Sequence, residues 1–169
     1  MRFEKVSYDQ FAADMEKWMP DMSKMLYKRF YDRVTLPKRQ TKGSAGYDFV
    51  TPVRIMLEPG QQVVIPSGIR AVFSDEELET WHLEVFVPQS VWIKQGGSVT
   101  NSVGIVNADC FMGENGGDIL LALKNTNRKI IDIAPEERIC QGIFKIHGLT
   151  SDDDAEGHRS GGVGSTGRQ

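Results

Sequence analysis

The C-terminal stretch holds the clearest chemical potential in this chain. Arg159-Ser160-Gly161-Gly162-Val163-Gly164-Ser165-Thr166-Gly167 sets a guanidinium and hydroxyl groups among glycines. A glycine-rich backbone lets its amides approach an anion and form concave nests that hold phosphate. The preceding residues are acidic, Asp152-Asp153-Asp154, so the tail from 150 to 169 cannot build a core and reads as a flexible arm. The two cysteines, Cys110 and Cys140, lack metal-ligand spacing and form no disulfide framework. They read as free thiols, buried or half-buried. A formal net charge of −3 argues against a nucleic-acid polymer as partner, which usually needs a basic surface. Small anions remain compatible with it, because local amides and Arg groups suffice.

These residues need a scaffold, and the chain has the means to build one. Its 169 residues are 40% hydrophobic, which fits one compact domain with an appendage. No apolar run approaches the roughly 20 residues that span a bilayer, and Met1-Arg2-Phe3-Glu4-Lys5 has no apolar segment of the secretory kind. Cytoplasmic residence is the expectation. Apolar residues recur at helical spacing over residues 3 to 33, from Phe3 through Phe11, Met15, Trp18 and Met22 to Tyr31. Ser7 is a candidate cap, and Pro20-Asp21 marks a break and a new start. This stripe packs on the domain or docks a protein partner; the general fate of amphipathic faces favours packing. From Leu36-Pro37 to His147 the pattern changes to short alternating segments between Gly, Pro and Asn. Examples are Gln62–Ile65, Ile69–Phe73, His82–Val87, Asp118–Leu123 and Ile139–Ile146. Many short strands at this spacing predict an all-β sandwich or barrel. The expected layout is a helical extension over 1–34, a β domain over 35–149 and the arm over 150–169.

The polar and glycine-rich segments fall in an order that resembles the trimeric dUTP pyrophosphatase (dUTPase) family. Ser44-Ala45-Gly46-Tyr47-Asp48-Phe49 is similar to its first motif, and Lys94 to Asp109 to the end of its second and the whole third. Glu137-Arg138-Ile139-Cys140-Gln141-Gly142-Ile143-Phe144 is similar to the fourth, and Arg159 to Gly167 to the fifth. The likeness covers roughly residues 35 to 169. It implies an all-β, jelly-roll or β-barrel subunit in a homotrimer, with the arm closing over a neighbour's nucleotide and excluding water. It places Ser90, Lys94, Asn101, Gly104, Asn107, Cys110, Gln141, Arg159, Gly161, Gly162, Val163, Ser165 and Thr166 on a nucleotide. It places Asp48 beside a magnesium ion, through water. Asp48 also reads as a turn residue after Gly46, and Arg159 as a solvated surface residue.

The departures from the family pattern shape the functional expectation. Counting back from Lys94 puts Pro88 where the family has its phosphate-binding Arg and Gln89 at its Ser, with Trp92 at a small-residue position. Proline offers no donor at all. Asn107 stands at the family's water-activating Asp and has no basic oxygen at neutral pH. Cys110 replaces the Tyr that packs on the deoxyribose, and Val163 the Phe that stacks on the base. The leading expectation is therefore a non-hydrolytic protein, not an enzyme, that binds a nucleotide or nucleotide-derived signal and sequesters or senses it. The alternative is an active pyrophosphatase acting on dUTP or another nucleotide with magnesium. In that case Asp109 would be the substitute base, because on a regular strand it would share a face with Asn107.

Overall fold

The computed structural model describes residues 1–88, 97–100, 102–113 and 116–157. The architecture is mostly antiparallel β, jelly-roll-like, with two helices near the N-terminus; among the described residues its sheets do not close into a barrel. A four-stranded sheet runs in the order β2 (Tyr47–Val50), β11 (Arg138–Ile146), β6 (Trp81–Phe86), β8 (Gly104–Asn107). A three-stranded sheet orders β4 (Gln62–Pro66), β9 (Leu120–Asn125), β7 (Gly97–Val99). Two further pairs join β1 (Arg2–Lys5) to β5 (Ile69–Val72) and β3 (Ile55–Leu57) to β10 (Ile131–Ile133).

Strand alternation decides which residues face the core. Leu83 and Val85 of β6 are buried, while His82, Glu84 and Phe86 point the other way. β11 holds the sheet together: its first half pairs with β2 and its second with β6, with a register shift between Arg138 and Cys140. Gly142 fits this centre, because a Cβ there would stand 2.9 Å from the Phe49 ring and 3.0 Å from Leu83. The core gathers Phe49, Leu83, Ile133, Ile139 and Cys140 from the strands.

The N-terminal residues are more mixed than their periodicity predicts. Arg2–Lys5 form β1, pairing Phe3 with Ala71, rather than starting a helix. Helix α1 spans Tyr8–Trp18, and the Ser7 hydroxyl accepts from the Gln10 amide at 3.1 Å, as expected of the cap. The break near Pro20 is present, and α2 spans Lys24–Arg33. Phe11, Met15 and Tyr27 are buried, and the Tyr31 hydroxyl donates to the Val6 carbonyl at 2.7 Å. Most of the stripe thus packs on the domain, while Met25 and Leu26 are exposed, Met25 by 88%.

Candidate functional site

A buried carboxylate organises the first and fourth motif segments. Asp48 on β2 and Gln141 on β11 are direct cross-strand partners. Gln141 Nε2 donates to Asp48 Oδ1 at 3.0 Å, and Arg138 Nη1 donates to Asp48 Oδ2 at 3.2 Å. The Asp48 amide donates to the Lys38 carbonyl at 2.9 Å, tying the strand to the preceding chain. Gly46 is required here for space, since a Cβ on it would lie 2.3 Å from Gln141 Cγ. Asp48 is only 6% exposed, so its charge is matched by a half-exposed guanidinium rather than by water. Sequence reading assigns roles to Asp48 and Gln141 but not to Arg138. The available signal is the Glu137-Arg138 pair opening the fourth motif, which looks like ordinary surface charge.

Asn107 ends β8 on the outward face of the same sheet and precedes a 3-10 helix, Ala108–Met112. It is exposed, and its side chain does not cap that helix. Its cross-strand partner is His82. The His82 ring meets His147 through the two Nδ1 atoms at 3.1 Å and Glu84 through Nε2 at 3.3 Å. Glu84 also pairs with Lys145 at 2.5 Å. That pairing, more than desolvation, holds the Glu84 carboxyl below its ordinary range. Composition and motif order give no hint of this polar row, because it depends on three strands aligning.

The 3-10 helix corrects one expectation. Asp109 and Cys110 lie within it, so the strand alternation that would put Asp109 on the face of Asn107 does not apply. Both residues are half-buried, and Phe111 packs against the core. Gly104 opens β8. Cys140 is fully buried and its thiol is pushed up to about 12 by desolvation. Pro88 follows β6. Ser90, Lys94, Asn101, Arg159, Gly161, Gly162, Val163, Ser165 and Thr166, with Gln89 and Trp92, lie outside the described residues.

Among the described residues the donor set does not fit a directly held metal ion. Both Asp48 oxygens are engaged by Gln141 and Arg138. Among the described residues no group of three or more His, Cys, Asp or Glu side chains converges. A hard cation seeks several oxygen ligands, and these residues do not provide them.

The subunit thus combines a jelly-roll-like β fold, an Asp–Gln–Arg cluster and a glycine-rich tail sequence. The dUTPase family model matches residues 32–167. The chain belongs to the dUTPase family. The deoxyuridine 5′-triphosphate nucleotidohydrolase of Lactococcus lactis subsp. lactis is 31% identical over 137 residues, covering 79% of this chain and 89% of its own length. That of Photorhabdus laumondii subsp. laumondii is 31% identical over 154 residues, covering 86% and 95%. A solved dUTPase from Streptococcus mutans superposes with a TM-score of 0.66 at 25% identity, covering 89% of this chain and 99% of that one.

These likenesses overturn the expectation of a non-hydrolytic, non-enzymatic binder. The similar proteins bear the name of a hydrolase, and the match runs over nearly their whole length. That expectation rests on several changed positions taken together, Pro88, Asn107, Cys110 and Val163. Phosphoryl-type transfer depends mainly on positioning and charge stabilisation shared among many groups, which a reading of substituted positions does not count.

Proposed function

We propose that this protein is a dUTP pyrophosphatase, hydrolysing dUTP to dUMP and pyrophosphate as a homotrimer. The near full-length similarity to deoxyuridine 5′-triphosphate nucleotidohydrolases carries this reading. The Asp48–Gln141–Arg138 cluster supports it, because it presents a pre-organised cation and amide on the strand that carries the fourth motif. Magnesium enters as part of the substrate, bound to its phosphates, which is the usual way this ion reaches nucleotide sites.

Within this reading each group has a task its chemistry permits. The Arg159-to-Gly167 arm supplies amides and a guanidinium to the phosphates. Asn107 orients the attacking water through its amide but does not take its proton. Arg138 stabilises charge on the phosphates while Asp48 and Gln141 fix its position. Incubating the protein with dUTP and magnesium and measuring pyrophosphate tests the reading. Turnover that falls by about 10²-fold or more in Arg138→Gln supports it; no release from dUTP at any magnesium concentration refutes it.

A further inference from the structure

Two imidazoles close a polar row at the place where the chain leaves the four-stranded sheet for its C-terminal segment. His82 lies on β6 between two direct cross-strand partners, Lys145 of β11 and Asn107 of β8. His147 follows the last residue of β11, and its amide donates to the Thr80 carbonyl at 2.8 Å. The two rings meet with centroids 5.2 Å apart and Nδ1 atoms at 3.1 Å. The other nitrogen of His82, Nε2, is 3.3 Å from Glu84 Oε1, and Glu84 Oε2 pairs with Lys145 Nζ. The His82 side chain is only 13% exposed and that of Glu84 18%, so charges in the row interact across little water.

Proton counting sets the state of this row. Glu84 is ionised, held below its ordinary range first by Lys145, and so can only accept. It fixes a hydrogen on His82 Nε2. The lone pair of neutral His82 is then on Nδ1, and the hydrogen between the rings comes from His147 Nδ1. One further proton is tolerated, because His147 can carry it on Nε2 and still donate from Nδ1. A second is not. With both rings cationic, two N–H groups face each other across 3.1 Å with no acceptor between them. Glu84 is then bonded into a row of three cations, His82, His147 and Lys145. The remaining charged group on the strands and helix packed around His82 is Asp109 of the 3-10 helix, which packs against β6. β8 contributes the neutral Asn107.

We propose that His82 and His147 form a proton-gated clasp, which holds the start of the C-terminal segment against β6 while the pair carries at most one extra proton and opens when both rings are charged. Opening leaves the His147 amide to hold the segment alone. His82 is thereby a positioning residue. It acts on the nucleotide site through two neighbours, Asn107 across the β6–β8 ladder and the segment that begins at His147 and leads on to the Arg159-to-Gly167 sequence. This positioning role rests on the dUTP pyrophosphatase reading. Imidazoles take up protons between about pH 8 and about pH 5, and a coupled pair does so as a unit, so the clasp opens at mildly acidic pH.

The test compares wild type with His147→Gln, whose amide still donates to His82 but does not titrate. Amide exchange over 146–157 and steady-state dUTP hydrolysis are measured at about pH 5.5 and about pH 7.5. In wild type, exchange corrected for the intrinsic rate is expected to accelerate about fivefold at the lower pH, and in the variant to stay level. The ratio of KM at the lower pH to KM at the higher pH is expected to be about fivefold larger in wild type than in the variant, with kcat changing equally in both. The same exchange response in the two proteins overturns the clasp. Equal KM ratios overturn the positioning role, even where exchange differs. If wild type hydrolyses no dUTP, the functional reading falls and exchange alone decides: acceleration in wild type only sustains the clasp, and its absence overturns it. His82→Gln, read in the same way, serves where His147→Gln does not fold.

Discussion

Asn107 offers water an amide, and an amide oxygen is too weak a base to accept a proton at neutral pH. If the remaining groups carry a slow hydrolysis, restoring a carboxylate there should accelerate it. Asn107→Asp is expected to raise kcat on dUTP by about 10²-fold, measured as pyrophosphate release under saturating substrate. An unchanged kcat would show that proton transfer is already served as well by another group. The two thiols should also separate in reactivity. Cys140, with its thiol pushed up to about 12 and no exposed surface, stays unmodified by a thiol reagent until the protein unfolds. At this scale the sequence brings out Asp48 and Gln141, because motif order identifies single positions. It hides Arg138 and His82. Arg138 and Asp48 are far apart along the chain and meet only once β2 and β11 pair, and His82 meets Asn107 only through the β6–β8 register.

The elements show where local pattern decides and where tertiary pairing overrides it. Period-two alternation makes β6, β9 and β11 legible, since each buries every second residue over part of its length. Arg2–Lys5 merge into a helical pattern because so short a segment is too brief to reveal a period, and pairing with β5 settles their conformation. The 3-10 helix after Asn107 is equally hidden; it depends on Gly116 and Gly117 folding back beneath it with positive φ. The burial of Asp118 adds a pH dependence to stability. The folded chain keeps a proton on Asp118 up to about pH 8, whereas the unfolded chain releases it near the ordinary carboxylate range. Stability from this group therefore falls as pH rises between those limits. The melting temperature of wild type should drop more from about pH 5 to about pH 9 than that of Asp118→Asn; parallel curves would contradict the assignment. Phe11→Ala, emptying a fully buried ring site in α1, should cost about 3–5 kcal/mol in denaturant unfolding. A loss below about 1 kcal/mol would mean that α1 is not integral to the core.

At the scale of the whole molecule the single chain leaves apolar surface that an assembly would cover. Ile105 is 64% exposed and Ile146 66% exposed, on the sheet that carries Asn107. A homotrimer buries such residues between equivalent subunits, and light scattering should give about three times the 18.9 kDa chain mass. The fold class is legible from many short strands and the order of the polar segments. The activity is not, because substituted side chains say which group is missing and not which others share its work. The most direct test of the central claim is pyrophosphate release from dUTP by the purified full-length protein with magnesium, compared with dTTP, dCTP and UTP. Release from dUTP in multiple turnovers is expected, abolished by a chelator and preferred over the other nucleotides. Binding of dUTP without any pyrophosphate, over many hours at high enzyme concentration, would contradict it.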